Sequence, residues 1–171
     1  MLFVPGVQVW GASALSELDA DSRSCFEKHI DHLGVQSGVS QALNGPITTF
    51  SKLLASPSHV TITYSDDNNI PIGFIKYGSK DLYFYKKNGE VVQKVNHICL
   101  LDFYVSEIIQ RSGIGLTLFR SMMDAIGHPM PCTLAYDRPS PKLILFMAKH
   151  FNLTLPDLQP NKYTIFEGYV I

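Results

Sequence analysis

The order of patterned segments predicts an α/β fold in which a mixed, mostly antiparallel central sheet is flanked by helices. Two observations predict it. Apolar residues alternate with period two from His59 to about Val92, and an apolar run followed by helical spacing begins near Ile98. The 171 residues are 46% hydrophobic, which fits one compact domain with a substantial core. We therefore expect a single domain over residues 1–171, which could be part of a longer protein.

The first elements are a helix and a series of strands. Phe26, Ile30 and Leu33 share one face of a predicted helix over 22–33, and Gly34 follows as a stop signal. Asn88-Gly89 is a dipeptide that favours a tight hairpin turn. We predict four consecutive antiparallel strands, whose apolar runs cover 60–64, 72–75, 82–85 and 91–92.

The second half of the chain predicts a buried strand followed by alternating helices and strands. Residues 98–105 are nearly all apolar apart from Asp102, as in a strand covered on both faces. Helical spacing follows over 113–126 and 143–150, and Ser140-Pro141 is a good start for the latter helix. Short strands are predicted over 132–136 and 162–170.

Composition argues against several classes of function. The formal net charge is −1 and the pI about 6.6, so no global positive field favours nucleic acid or an anionic membrane. No apolar run approaches the roughly 20 residues that span a bilayer, and residues 1–10 lack the pattern of a signal peptide. We expect a soluble, intracellular monomer that binds neither nucleic acid nor membrane.

Cysteine and histidine residues do not form a recognisable metal or disulfide pattern. The three cysteines stand singly, and an odd number without a secretory signal fits a reducing compartment. His29 and His32 have helical spacing, but no third ligand lies at a metal-site spacing. We therefore expect no metal.

A loop with the pattern Q-R-x-G-x-G joins the buried strand to the helix after it. Glycines in Gln110 to Gly115 allow the backbone to approach a ligand, and the helix start offers free amides and a positive dipole end to a pyrophosphate. Arg111 adds a fixed charge. The alternative is a turn softened by glycines, since one such triplet is weak evidence. In this strand and helix context, however, the loop resembles the coenzyme A loop of GNAT acetyltransferases.

The resemblance extends beyond that loop to the alpha-tubulin N-acetyltransferase family. In order and spacing, the matching segments cover roughly residues 22–169. The sequence carries these segments as Gln41, Gly45-Pro46-Ile47-Thr48, His59-Val60, Gly73-Phe74-Ile75-Lys76, Cys99-Leu100-Leu101-Asp102-Phe103-Tyr104-Val105, Gln110-Arg111, Ala135-Tyr136-Asp137-Arg138-Pro139-Ser140, Lys142-Leu143, Lys149-His150 and Ile165-Phe166-Glu167-Gly168. The resemblance implies the GNAT fold, an acetyl-CoA cosubstrate and a luminal lysine of alpha-tubulin in microtubules as acceptor.

The resemblance also implies which residues form the site. The implied active-site residues are Gln41, Cys99 and Asp137. The implied acetyl-CoA segments are Phe103, Tyr104, Val105, Ser106, Glu107, Ile108, Ile109, Gln110, Arg111, Ser112, Gly113, Ile114, Gly115 and Leu116, then Ser140, Pro141, Lys142, Leu143, Ile144, Leu145, Phe146, Met147, Ala148 and Lys149. The chain departs from the family pattern at Lys52, Ser112 and Leu116, where relatives tend to carry arginine, another basic residue or histidine.

Each implied active-site residue has an alternative role. Asp137 could take a proton from the acceptor lysine, whose amine is mostly protonated at neutral pH, or could simply pair with Arg138. Cys99 could relay a proton if its pKa were lowered, or could fill space in a strand. Gln41 could bind substrate or be an exposed amide. A backbone N–H near Tyr104 or Val105 is expected to meet the oxyanion.

Other functions remain open at the level of sequence. The loop alone does not identify the acceptor, so another protein lysine or a small amine is possible. A microtubule-binding module with negligible catalysis would keep the same fold. Lysines 76, 80, 86 and 87 could form a basic rim for acidic tubulin or a solvated face. The family resemblance implies a cytoplasmic, cytoskeletal location, including the cilium or flagellum.

Overall fold

The computed structural model describes residues 2–127 and 130–171. Within them the strands are β1 (Gly6–Trp10), β2 (His59–Ser65), β3 (Pro71–Tyr85), β4 (Val91–Val105), β5 (Ala135–Asp137), β6 (Pro156–Leu158) and β7 (Tyr163–Phe166). The helices of the same residues are α1 (Ala12–Ser16), α2 (Ala20–Ser40), α3 (Phe50–Leu54), α4 (Ile114–Ile126) and α5 (Pro141–Phe151). Single 3₁₀ turns cover Glu107–Ile109 and Pro131–Thr133.

The described strands form one mixed sheet in the order β1-β2-β3-β4-β5-β7-β6. Neighbours are antiparallel except β4 and β5, which run parallel. The mixed, mostly antiparallel sheet flanked by helices agrees with the predicted fold class. Strand β4 lies in the middle, as the apolar run 98–105 predicted.

Two predicted strand boundaries are wrong because long strands continue through irregularities. The apolar runs 72–75 and 82–85 belong to one 15-residue strand, β3, and the runs 91–92 and 98–105 belong to β4. The β3–β4 register shifts between Lys76 and Tyr77 and again between Lys80 and Leu82. Each bulge accommodates an extra residue without ending the pairing. The predicted apolar runs between residues 60 and 105 therefore form three strands, β2, β3 and β4.

Strands β4 and β5 separate soon after they meet. Their parallel pairing covers only Cys99 with Ala135 and Leu100 with Tyr136. Beyond this point β4 continues to Val105, whereas β5 ends at Asp137. The sheet therefore opens between the two strands, in the region where the sequence predicted that an oxyanion would be met.

The helices cover both faces of the sheet. Helices α4 and α5 pack on one face, where Leu118, Phe119 and Met147 join a core that includes Leu100 and Tyr136. Helix α2 packs on the other face. Its core residues Phe26, Ile30 and Leu33 lie in a second cluster with Phe74 and Tyr104 of the sheet. Side chains of β4 therefore reach either α2 or the α4–α5 layer, depending on the face to which they point.

Helix α2 extends beyond its predicted end at Gly34. It continues to Ser40, because Gly34 and Gly38 serve close packing rather than termination. A Cβ on Gly34 would overlap the carbonyl oxygen of Thr48, and one on Gly38 would lie 3.2 Å from the carbonyl oxygen of Gly45. The loop between α2 and α3 therefore lies directly against the helix.

The two later helices match their predictions. Helix α4 begins one residue after the predicted start and ends at the predicted Ile126. Ser140 caps α5 by accepting a hydrogen bond of 3.2 Å from the Leu143 amide, and Pro141 is the first helical residue. Both helices were predictable because their apolar spacing and end signals are local in the sequence.

The last strands are shorter than predicted. Pro131 begins a 3₁₀ turn, so β5 starts at Ala135 instead of residue 132. Strand β7 ends at Phe166 because Gly168 adopts a φ of +86° and the Tyr169 amide turns back to donate to the Phe166 carbonyl. Strands β1 and β6 were not predicted.

Candidate active site

Two of the three implied active-site residues lie together at the opening between β4 and β5. Cys99 of β4 pairs with Ala135 of β5, and Asp137 is the last residue of β5. They are close enough for the Asp137 charge to raise the pKa of the Cys99 thiol. Tyr163 on β7, opposite Asp137 in the register, completes this group. Sequence analysis missed Tyr163, which carries no motif of its own.

Cys99 is an unreactive thiol in its present surroundings. Its side chain is fully buried, and Sγ lies 3.3 Å from the His97 carbonyl oxygen, to which it can donate. Burial and the Asp137 carboxylate raise the pKa of Cys99 from 9.0 to about 12. A proton relay through a thiolate requires a lowered pKa. The raised pKa of Cys99 therefore does not favour that role. A neutral thiol can still donate a hydrogen bond.

Asp137 forms an ion pair with Arg138, as its alternative, purely structural role requires. Its carboxylate accepts hydrogen bonds from Arg138 Nε at 2.9 Å and from a terminal guanidinium nitrogen of the same residue at 3.3 Å. The Asp137 side chain is only 16% exposed, whereas that of Arg138 is 54% exposed. The ion pair with Arg138 does not cancel the influence of the Asp137 charge, which also acts to raise the pKa values of Cys99, Lys76 and Tyr163.

Gln41 stands at the C-terminal end of α2 and is partly buried. Its Nε2 donates to Ser37 Oγ at 2.9 Å and lies 3.4 Å from Asp102 Oδ1. Among the described residues, nothing donates to its Oε1. Hydrogen bonds from Nε2 therefore hold the Gln41 amide in place, and Oε1 can accept a hydrogen bond from a ligand.

Asp102 is a buried carboxylate that sequence analysis did not assign to the site. It is 4% exposed and accepts hydrogen bonds from Ser37 Oγ at 2.9 Å and Thr48 Oγ1 at 2.6 Å, besides the contact with Gln41. The one signal in the sequence was a charged residue inside an otherwise apolar strand. Such a residue must be paired or hydrogen-bonded when it is buried.

Positive side chains surround the same region of the sheet. Lys76 is 4% exposed, pairs with Asp102 across β3 and β4, and donates to the Ile47 carbonyl oxygen at 3.2 Å. Burial lowers the pKa of Lys76 from 10.5 to about 8, although Asp102 acts in the opposite direction. Burial, Lys80 and Lys76 lower the pKa of His59 to about 4, so that imidazole is neutral at physiological pH.

The predicted pyrophosphate loop presents its backbone at the start of α4. Gly113 has a φ of +93°, and a Cβ there would meet nothing within 4 Å. Among the described residues, no side chain caps this helix start. The amides of the first turn are thus open to an anion, and the exposed Arg111 forms no ion pair with any described residue. These features fit a pyrophosphate.

The α5 segment closes the other side of that loop. Phe146 of α5 packs edge-on against Phe103 of β4, with ring centroids 5.5 Å apart. A Cβ on Gly115 would lie 3.4 Å from the Phe103 ring, so the small residue lets α4 approach β4. Lys142 joins the two predicted cofactor segments through a 3.3 Å ion pair with Glu107.

The predicted cofactor residues divide into exposed and buried sets. Ile108 and Leu145 are 95% and 70% exposed and could be covered by a ligand. Tyr104, Leu143 and Met147 are buried in the core, so their side chains support the fold. Tyr104 and Val105 pair with β3 but lie on the part of β4 that has no β5 partner, at the sheet opening.

Residues 2–127 and 130–171 contain neither a metal-binding cluster nor a membrane-spanning helix. No group of three metal-binding side chains lies close enough to hold a metal ion there. In the same ranges, no helix combines the length and apolar character needed to cross a bilayer.

Comparison with known proteins identifies the family. The sequence profile described as "GNAT acetyltransferase, Mec-17" matches residues 8–171. The chain belongs to this family. An alpha-tubulin N-acetyltransferase from Phytophthora infestans is 36% identical over 164 residues, which cover 86% of this chain and 90% of that protein. One of the same name from Anopheles gambiae is 37% identical over 151 residues, which cover 87% of this chain and 31% of that protein.

Solved structures confirm the fold of this Mec-17 family member. The acetyltransferase domain of xEco2, solved with a bound CoA conjugate, superimposes with a TM-score of 0.61. The match covers 99% of this chain and 95% of that domain at 9% sequence identity. The predicted GNAT fold is therefore confirmed, and so is the predicted family. This Mec-17 chain spans only about a third of the Anopheles relative, although it spans most of the Phytophthora one.

Proposed function

We propose that this chain is an acetyl-CoA dependent alpha-tubulin N-acetyltransferase. It transfers the acetyl group to the side-chain amine of a luminal lysine of alpha-tubulin in assembled microtubules, by direct attack within a ternary complex. The observation that carries the proposal is 36% identity over 90% of the Phytophthora protein of that name. Because that protein is little longer than the match, the likeness is not confined to one part of a larger enzyme.

The open backbone at the start of α4 supports acetyl-CoA as the donor. A pyrophosphate would accept hydrogen bonds from the first-turn amides of α4, next to Gly113, and would lie beside the Arg111 charge. The pantetheine arm would then run along the separated part of β4, towards Cys99 and Asp137. The structural likeness to an acetyltransferase domain that holds a CoA conjugate supports the choice of acetyl-CoA as donor.

The reaction needs a neutral amine and a place for its proton. The lysine ammonium first loses a proton, and the nitrogen lone pair then attacks the thioester carbonyl carbon. The tetrahedral intermediate collapses as the carbon–sulfur bond breaks, and coenzyme A leaves as a thiolate that takes up the proton released by the attacking nitrogen as it becomes the amide. A backbone N–H of Tyr104 or Val105 would stabilise the oxyanion, because β4 lacks a β5 partner there.

The three implied residues take different roles in this scheme. Asp137 accepts the proton or orients the amine, since it is partly buried at the sheet opening. Gln41 accepts a hydrogen bond from the acceptor amine through Oε1. Cys99 contributes a neutral thiol, because its pKa of about 12 excludes a thiolate at physiological pH.

Acetyl transfer to several acceptors tests the proposal. Labelled acetyl-CoA is offered with polymerised microtubules, free tubulin dimers, histones and polyamines, and the modified residue is mapped by mass spectrometry. We expect one alpha-tubulin lysine to be modified, fastest on microtubules. Equal activity on polyamines or histones would replace tubulin by another acceptor. Cofactor binding without transfer to any acceptor would indicate a binding module.

The variant Asp137→Asn tests the proposed base. We expect kcat to fall by about 10²–10⁴-fold while acetyl-CoA binding, measured by calorimetry, is retained. Arg138→Gln is the matched control, because it removes the same ion pair and leaves the carboxylate. If both variants lose activity equally, Asp137 acts only by pairing with Arg138.

A further inference from the structure

The buried Asp102 carboxylate connects three separate parts of the fold. It lies on the central strand β4, and its hydrogen-bond donors come from α2 and from the loop that precedes α3. Ser37 and Gln41 share Oδ1, at 2.9 and 3.4 Å, whereas Thr48 binds Oδ2 at 2.6 Å. Both carboxylate oxygens are therefore used, and one of them faces the predicted active-site amide.

A β-bulge aims Asp102 at these partners. Opposite β3, Lys76 pairs with Asp102 and Tyr77 pairs with Leu100, so Leu101 is the extra residue on β4. Leu100 and Phe103 lie with the α4–α5 core, while Asp102 bonds to α2. In a regular strand without the bulge, residues two apart point to the same face, so Asp102 would share the face of Leu100 and point into the α4–α5 core.

The hydrogen bonds form a relay that ends at Gln41. Ser37 Oγ donates to Asp102 and accepts from Gln41 Nε2 at 2.9 Å, so its hydroxyl orientation is set from both sides. Charge-assisted hydrogen bonds to a buried carboxylate are stronger than those between neutral groups. Gln41 is the C-terminal cap residue of α2. The helix backbone alone does not fix the conformation of its side chain, so the hydrogen bond to Ser37 is needed for that.

We infer that Asp102 is a positioning residue, which acts through Ser37 to hold the Gln41 amide with its oxygen directed at the acceptor amine. This inference rests on the proposed function, because it assigns Gln41 to the acetyl-transfer site. The Asp102 carboxylate accepts only, so Gln41 must present its NH₂ group to the relay. The amide oxygen is then left to accept from the ligand. Removing the negative charge would remove the preference for this orientation.

A double-mutant cycle tests the inference. Asp102→Asn and Gln41→Ala should each lower kcat by about 10- to 100-fold, since small misplacements of a positioned group have effects of that size. The double variant should be no slower than Gln41→Ala, within about twofold. The KM for acetyl-CoA should not change. If the two effects multiply instead, Asp102 acts independently of Gln41 and the inference is wrong.

A destabilised fold must be separated from a misplaced amide. Trp10→Phe is the control, because it breaks a buried 2.9 Å hydrogen bond to Thr63 on the far edge of the sheet. It should lower the melting temperature and leave kcat unchanged. If Asp102→Asn does not fold, Ser37→Ala interrupts the same relay and retains the charge. Its loss of kcat should likewise disappear in the Gln41→Ala background.

A measurement without substrate keeps this inference distinct from the proposed function. The side-chain NH₂ resonances of Gln41, assigned by their loss in Gln41→Ala, should show slow solvent exchange in the wild-type protein. In Ser37→Ala or Asp102→Asn, exchange should accelerate at least tenfold. Unchanged exchange would overturn the positioning role. A wild-type protein that transfers acetyl to no acceptor would overturn the proposed function but not this result.

Discussion

Lys76 and Asp102 are opposite charges buried side by side on neighbouring strands. Each is 4% exposed, and each uses further hydrogen bonds to the loop before α3. Desolvation of such a pair commonly outweighs its mutual attraction, so it contributes little to stability by itself. The lowered pKa of Lys76 agrees with this view, because burial exceeds the effect of the Asp102 charge.

The variant Lys76→Met tests the burial of that ammonium through the pH dependence of stability. The pKa is about 8 in the folded protein and 10.5 ordinarily, so between these values the unfolded chain binds more protons. The free energy of unfolding contributed by Lys76 must then rise with pH. Relative to the variant, the wild-type protein should gain about 1–3 kcal/mol between about pH 7.5 and pH 10.

Urea unfolding of both proteins across that pH range measures the difference. Other groups that titrate there affect the two proteins equally and cancel. A difference that stays constant with pH would mean that Lys76 keeps its proton in the folded protein. The ammonium would then be better paired with Asp102 than its burial indicates.

The surroundings of Cys99 determine the protonation state of its thiol. The nearby Lys80 charge lowers the pKa of Cys99, but burial and the Asp137 charge raise it by more. The nearest strong influence is the Asp137 carboxylate, which adds to the effect of burial. The two implied residues therefore cannot both be charged without cost, and this favours the proposed assignment of Asp137 as the proton acceptor.

At the scale of elements, local signals predicted the helices and nonlocal pairing determined the strands. The apolar spacing and the Ser140 cap gave α4 and α5 nearly to the residue. The extent of β3 and β4 depends on their pairing with each other, which no short window contains. The direction of Asp102 depends on the bulge at Leu101, so its role in the site could not be derived from sequence periodicity.

The candidate site was predictable where a motif carries it and not elsewhere. The loop before α4 was found because glycines and a helix start follow a strand. Cys99 and Asp137 came from the family resemblance, and the structure does bring them together. Lys76 was assigned to an exposed rim, which is wrong, since a strand position opposite Asp102 buries it.

Glycines in α2 let the loop before α3 reach the sheet, and Gly34→Ala tests this packing. Alanine normally stabilises a helix interior by about 1 kcal/mol relative to glycine. Here its Cβ would overlap the Thr48 carbonyl oxygen, which belongs to the backbone and cannot rotate away. We expect a net loss of about 1–3 kcal/mol in the free energy of unfolding. Acetyl transfer should also fall as Thr48 is displaced from Asp102.

Two further variants calibrate this result in the same denaturant experiment. Gly38→Ala should cost less, because its Cβ would lie 3.2 Å from the Gly45 carbonyl oxygen, a contact that a small shift relieves. Val35→Ala is the control on the exposed side of α2, where the side chain is 51% exposed and little change is expected. Stabilisation by Gly34→Ala would show that the loop does not need this close approach.

At the scale of the whole molecule, charge is nearly balanced but unevenly placed. The net charge of −1 gives no long-range attraction for an acidic partner. Besides Arg138, which is paired with Asp137, positive groups near the candidate site include Lys76 and Lys80, whose charges together lower the pKa of His59. Since Lys76 is buried, Lys80 is the member of this pair that a docking protein could contact. Attraction of an acidic acceptor must therefore be local.

The variant Lys80→Gln tests whether Lys80 itself, rather than the basic rim as a whole, attracts an acidic acceptor. We expect kcat/KM for microtubules to fall by about two- to fivefold, because one partly exposed ion pair contributes about 1 kcal/mol or less. The KM for acetyl-CoA should be unchanged. Lys28→Gln, which removes an exposed lysine from α2, is the matched control and should have no effect.

Raising the salt from about 50 to 200 mM should reduce wild-type kcat/KM more than that of Lys80→Gln, since screening acts on the charge that the variant lacks. Equal salt dependence in the two proteins would place the electrostatic contact elsewhere on the surface, with Lys86 and Lys87 of the β3–β4 hairpin as the next residues to replace.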